Sequence, residues 1–161
     1  MTKLVRQAEV LKNIIGKITQ EFNCKIYADE VRENFKKPCF FIAASSLMTP
    51  QTVNWMRKEL TITLTYYPKD AEKNEITYLD MVDRVQSLFQ VGIFSGGRHL
   101  KIDTVEDDRV GEVDDILQIT IVIPYLEQVT GEREHSSEMM GEVTLDISNE
   151  NENFTGIIKE E

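Results

Sequence analysis

The chain has 161 residues, a formal net charge of −10 and 41% hydrophobic residues, enough for one ordinary core. Its longest apolar runs span only a few residues, whereas a membrane-spanning helix needs roughly 20, so no membrane segment is expected. The acidic balance and the lack of a basic stripe argue against sequence-specific nucleic-acid binding.

The N-terminal third of the sequence predicts one helix and three strands. A helix is expected over 3–22, because its apolar residues recur at alternating steps of four and three and so share one stripe. These residues are Leu4, Ala8, Leu11, Ile15, Ile18 and Phe22. A short strand follows at 25–27, a second at 39–44, and a third at 53–67. In the stretch ELTITLTYYPKD, apolar residues alternate with threonines, which is typical of a strand with one buried face.

The next elements are a second helix and two further strands. Asn74 is a suitable N-cap for a helix that runs to about Phe89. Gly92 and Gly96-Gly97 predict turns, 98–105 a strand, 106–115 a charged loop, and 116–125 the last strand of the body. The order α-β-β-β-α-β-β predicts an α+β fold of two layers, with a mainly antiparallel sheet and both helices on one face.

Residues suited to catalysis, cofactor binding or metal ligation do not converge in the sequence. Cys24 and Cys39 are fourteen residues apart and lack a CxxC spacing, so two reduced thiols are favoured over a zinc site or a disulfide. His99 and His135 have no candidate nucleophile beside them. We therefore expect a protein without enzymatic activity, cofactor or metal. Since the N-terminus also lacks a signal-peptide pattern, we expect it in the cytoplasm.

Trp55, the single tryptophan, has two interpretations. In the strand alternation it falls on the face expected to be wet, together with Glu59 and Thr61. A tryptophan on that face would be an interface anchor, whereas a bulge near Met56 would return it to the core.

With its elements in this order, the chain resembles the tail terminator (tail completion) proteins of long-tailed phages, of the kind found in Gram-positive phages and phage-tail-like bacteriocins. The resemblance covers residues 3 to about 127. It rests on the helix LVRQAEVLKNIIGKITQEF, the strand pair PCFFIAAS and KELTITLTYYPKD, the helix EITYLDMVDRVQSLF, and the final GRHLKIDTVEDDRVGEVDDILQITIVIPYLE.

The resemblance implies a structural subunit of a homo-hexameric ring. Such a ring caps the tail tube at its head-proximal end, stops polymerisation and presents a joining surface to the head–tail connector. Its partners would be the tail tube protein and, in a contractile particle, the tail sheath protein. From the residues alone, a small cytoplasmic enzyme or a regulatory binding protein on an α+β scaffold remains the alternative.

Beyond the body, 1–127, residues 128–161 form an acidic extension that departs from the compact form of the family. Ten acids and two bases lie in 127–161. Alternation predicts a short strand at about 142–148, with Val143, Leu145 and Ile147 on one face, and Phe154 and Ile157 as further anchors. Since a lone strand is unstable in water, this arm either docks on a neighbouring subunit or tail partner, docks on its own body, or is disordered.

Overall fold

The structure is a computed structural model that describes residues 4–28, 34–113, 115–129, 143–149 and 152–158, the last two ranges as backbone only. Its helices are α1 (Gln7–Phe22) and α2 (Glu75–Phe89). Its strands are β1 (Lys25–Ala28), β2 (Cys39–Pro50), β3 (Trp55–Tyr67), β4 (Ile93–Ser95), β5 (Arg98–Leu100), β6 (Thr104–Val110), β7 (Ile116–Gln128), β8 (Val143–Asn149) and β9 (Glu152–Ile158). The chain divides into two compact units, Met1–Val129 and Thr130–Glu161.

The first unit is built on a five-stranded sheet in the order β1-β2-β3-β7-β6. β1 runs parallel to β2, and the other neighbouring strands are antiparallel. One row across the sheet joins Ile42, Leu64, Ile119 and Asp107. The predicted α+β fold, its order of elements and its mainly antiparallel sheet are confirmed.

Both helices pack on the same face of this sheet. Alternate residues of β3 and β7, such as Ile62 and Ile121, form one buried cluster with Ile14 of α1 and Val85 of α2. Each buried side chain of this size contributes roughly 1.5–3 kcal/mol relative to exposure. The predicted two-layer arrangement is therefore confirmed.

The opposite face of the sheet, here called the open face, carries the threonines of β3 and their neighbours. Thr61 lies beside Val122, and Thr63 beside Thr120. No helix of the described residues covers this face. Rings of Tyr27, Phe35, Phe41 and Tyr67 pack together at one end of it, with centroids 5.1–5.6 Å apart.

Local signals explain where several elements begin and end. Asn74 accepts a hydrogen bond from the Thr77 backbone N–H at 2.9 Å, so the predicted N-cap is confirmed. Asn23 ends α1 in the left-handed conformation, with φ of 48°. Gly96 and Gly97, both with positive φ, form the two-residue turn between β4 and β5.

The apolar stripes of both helices are rotated from the predicted ones. In α1 the buried line runs through Val10, Ile14 and Ile18, while Ala8 is exposed. In α2, Tyr78 takes a core position. The 3-4 spacing of the sequence places Ile76 and Leu79 on the apolar stripe of this helix, but both are exposed in the structure. Spacing alone gave several stripes of similar quality, and the sheet's position selects among them.

Two stretches predicted as connections are parts of strands. Residues 45–50 continue β2, although they lack an apolar alternation. Residues 106–110 belong to β6, because pairing with β7 holds this acidic stretch at the edge of the sheet. The predicted strand 98–105 is divided between β5 and β6.

The second unit contains an antiparallel hairpin. β8 pairs with β9 from Val143 opposite Ile158 to Asn149 opposite Glu152. The strand predicted at about 142–148 is thus paired within its own unit, and the expectation of a lone strand is wrong. The missed signal was 152–158, whose polar start hid a second strand.

Candidate protein–protein interface

The outer edge of β2 is covered by another strand for only a third of its length. β1 pairs with Cys39 to Ile42 and ends there. Over 43–50, no strand among the described residues pairs with this edge. Its outward backbone N–H and C=O groups are therefore available to a strand from another molecule. We call residues 43–50 the free edge.

The free edge belongs to a hairpin whose residues remain exposed on both faces. Its turn is closed by hydrogen bonds from the Gln51 and Thr52 backbone N–H groups to the Trp55 carbonyl, both at 3.0 Å. All eight residues of the free edge are exposed, whereas the first four residues of β2 are buried. We call residues 43–58 the hairpin arm. It extends past the part of the sheet that the helices cover.

Large apolar side chains are exposed on and beside the hairpin arm. Leu47 is 62% exposed, Met48 54% and Trp55 43%, and Leu126 on the adjoining part of β7 is 51% exposed. Leu47, Trp55 and Leu126 share the open face by their register. On this face a shallow cleft of about 220 Å³ is lined by Leu47, Thr49, Gln51, Arg57 and Glu59. Clustered exposed apolar residues of this kind mark interaction surfaces.

The two outer edges of the sheet differ in charge. The hairpin arm contains Arg57 and Lys58 and no acidic residue, in a chain of net charge −10. β6, at the other side of the sheet, carries Glu106, Asp107 and Asp108 against Arg109. We call β6 the acidic edge. Charged residues protect an edge from uncontrolled pairing, and the free edge lacks this protection.

The base of the hairpin arm is held by a buried carboxylate. Glu127 is 2% exposed, and its Oε2 lies 2.6 Å from the Lys58 ammonium. Its Oε1 accepts the Val5 backbone N–H at 2.6 Å. Three segments that are distant in sequence therefore meet at Glu127. No local pattern indicates this contact, since Glu127 opens an acid-rich stretch of the kind that is usually solvated.

Outside the arm, a cavity of about 280 Å³ lies between α1, α2 and the ends of β2 and β3. Burial raises the pKa of the Cys24 thiol, which keeps it protonated, and raises the pKa of Tyr66 to about 12. Neither group is thereby activated as a nucleophile. Within the described ranges, no three His, Cys, Asp or Glu side chains are grouped to hold a metal, and no helix is long and apolar enough to span a membrane.

The predicted interface residues fall in both units. Trp55 keeps the parity of Glu59 and Thr61 at the start of β3, without a bulge, and lies on the open face. Val143, Leu145 and Ile147 lie in β8, and Phe154 and Ile157 in β9. Sequence reasoning missed most of the free edge, because residues 45–50 give no strand alternation.

A family described as phage tail terminator protein matches residues 9–135. No curated protein matches the chain. Thirteen chains of solved structures match. One of them, which carries no functional name, is 9% identical with a TM-score of 0.48, over 79% of this chain and 95% of its own length.

Proposed function

Because the chain belongs to the phage tail terminator family, a family of structural tail proteins, we propose that it forms a homo-hexameric ring that caps the tail tube. The ring ends polymerisation of the tube at the head-proximal end of the tail and presents the joining surface for the head–tail connector. In a contractile particle it also contacts the last ring of sheath. Its role is mechanical, without catalysis or a cofactor, and assembly takes place in the host cytoplasm.

The observation that supports a ring most directly is the free edge with its exposed apolar neighbours. A monomer that exposes these eight uncharged edge residues, Leu47 among them and Trp55 nearby, leaves backbone hydrogen-bonding groups and apolar area without a partner among the described residues. In a closed ring every copy offers the same edge to the next copy, so no such edge remains open. Six copies follow from the family resemblance.

The acidic extension supplies a second set of contacts in this proposal. Val143, Leu145 and Ile147, with Phe154 and Ile157, anchor the extension on a neighbouring subunit or on the adjoining tube or sheath. Strand addition is the mode that suits a short β-hairpin. Trp55 serves as an anchor on the body.

The test begins with the purified full-length chain. Light scattering should give six times the 18.6 kDa of one chain, and negative-stain images should show rings. Added to polymerising tail tube protein, the rings should shorten the tubes and appear at one end of each. A monomer at tens of micromolar that leaves tube length unchanged would contradict the proposal and favour a small enzyme or regulator.

A further inference from the structure

We propose, on the basis of the ring above, that the free edge of each copy pairs antiparallel with the acidic edge of the next copy, which makes one continuous closed sheet. The partner is thus a second copy of this chain, and the two surfaces are different parts of it. The contact is heterologous, as a closed ring with cyclic symmetry requires.

The lengths and directions of the two edges match. The free edge has eight residues and β6 has seven. Within the sheet, successive strands β2, β3, β7 and β6 alternate in direction. In a cyclic ring all copies point the same way, so β6 of one copy beside β2 of the next continues this alternation. β1 and the neighbouring β6 then share the side of β2 end to end, β1 up to Ile42 and β6 beyond it.

The charges of the two edges select this pairing over its alternatives. If two acidic edges paired, Glu106, Asp107 and Asp108 of one copy would face the same acidic residues of the other. Like charges on facing strands destabilise a sheet. The free edge carries no charge to oppose them, and the hairpin arm adds Arg57 without any acid. Pairing of two free edges would form a dimer and leave both acidic edges unused.

The positions of the edges also permit closure. Asp107, at the centre of β6, lies in the row of Ile42, whereas the centre of the free edge lies between Ser46 and Leu47. Each copy is therefore shifted relative to the next copy by four to five residues, which is about 15 Å along the strands. Six copies contribute four strands each, spaced about 4.8 Å apart. With this offset between copies, the sheet closes into a ring if the strands tilt by about 40° from the ring axis, which is within the 35–45° of closed barrels.

Two outward groups of β6 are held by side chains that pairing would displace. Asp108 Oδ1 accepts the Arg109 backbone N–H at 2.8 Å, and Gln86 Nε2 donates to the Val105 carbonyl at 3.4 Å. Both bonds are exposed and close within one molecule. Before assembly these two bonds satisfy two outward backbone groups of β6, and a pairing strand would take their place.

Disulfide trapping tests the pairing. Facing positions in an antiparallel pair have the Cα separation that a disulfide needs, and the proposed register places Ser45 opposite Asp108. Ser45→Cys and Asp108→Cys, each alone, should give no new covalent dimer. Co-expressed, they should give a mixed dimer, and the double variant should give a ladder that ends at six chains. The parent chain controls for Cys24 and Cys39, and Ser45→Cys with Asp70→Cys controls for random collision.

Each result decides a different point. Rings of six chains without a mixed dimer, also with Leu47→Cys and Glu106→Cys as a second facing pair, would overturn this pairing and leave the proposed function intact. A covalent dimer from Ser45→Cys alone would show that two free edges pair. A ladder without an end would show an open helix. A protein that is monomeric throughout would overturn the proposed function itself.

Discussion

The Lys58 ammonium lies 2.6 Å from the carboxylate of Glu127, and only 22% of the lysine side chain and 2% of the glutamate side chain are exposed. The ion pair joins β3 to β7 at the base of the hairpin arm. Glu127 also binds the backbone of Val5, so one carboxylate fixes the start of the chain to the sheet. The arm therefore projects from a rigid base.

Replacing Lys58 with methionine should lower the free energy of unfolding by about 3 kcal/mol, because Glu127 then remains buried without a cation. Glu127→Gln should cost less, since the amide oxygen still accepts the Val5 N–H. Urea unfolding measures both. The control is Arg57→Met, which breaks the exposed pair with Glu59 and should cost less than about 0.5 kcal/mol. Equal costs for Lys58→Met and Arg57→Met would contradict the role of the buried pair.

Tyr66 should make stability fall at high pH. Burial, aided by the charge of Glu72, raises its pKa to about 12, above the ordinary value of 10.0. The contribution of Tyr66 is complete below pH 10 and is lost as the pH rises towards 12, at a slope of at most about 1.4 kcal/mol per pH unit. Between pH 10 and 12, Tyr66→Phe should lose less stability than the parent chain, and its absorbance titration should lack one late tyrosinate step. Identical pH profiles would exclude this assignment.

A glutamate on the free edge should abolish ring assembly without unfolding the subunit. Ser45 is exposed and lies opposite Thr61 within the sheet, so Ser45→Glu should change the free energy of unfolding by no more than about 0.5 kcal/mol. In the proposed register the new carboxylate faces Asp108 of the next copy, and like charges on facing strands destabilise a sheet, so light scattering should report a monomer. Ile76→Glu on α2, where the side chain is also exposed, is the matched control and should still assemble. Rings formed by Ser45→Glu would show that this edge is not used.

Trp55 should report on assembly through its fluorescence. It is the only tryptophan, and 43% of it is exposed in the single subunit. If it is an interface anchor, its emission maximum should move to shorter wavelength when rings form, because the indole is then shielded from water. Monomeric Ser45→Glu gives the reference spectrum. Equal maxima for ring and monomer would remove Trp55 from the interface.

Deletion of the chain after Val129 should leave the body folded. The buried cluster formed by the described side chains lies between Val5 and Tyr125, so the unfolding free energy of the body should change by less than about 0.5 kcal/mol. Rings of the shortened chain should be weaker and therefore dissociate at a higher protein concentration than rings of the full chain. Particles built with them should vary in tail length. Normal length and equal ring stability would mean that the extension is dispensable.

The elements that could be predicted are those with one buried face. In α2, β3 and β7, apolar residues recur with the period of a helix or a strand, because one side of each element packs against the core. β6 and the second half of β2 escape this rule. Both faces of 45–50 meet water, so its residues show no period, although each of them lies opposite a residue of β3.

The candidate interface was predictable only in part, for the same reason. Trp55 stood out as a rare residue on an exposed parity, which sequence can show. The free edge depends on where β1 stops, and Glu127 depends on Lys58 and Val5 arriving from distant parts of the chain. Long-range pairing of this kind leaves no mark in local spacing.

In the proposed ring, the length of β1 sets how many neighbours the subunit can have. β1 is four residues long and ends at Ala28, opposite Ile42. A first strand twice as long would cover half of the remaining edge of β2, and a copy built that way could bind through β6 alone. Mixed with the natural chain, it would act as a chain terminator that joins one end of a growing arc and prevents its closure. The shortest strand of this sheet thus fixes the valence of the building block.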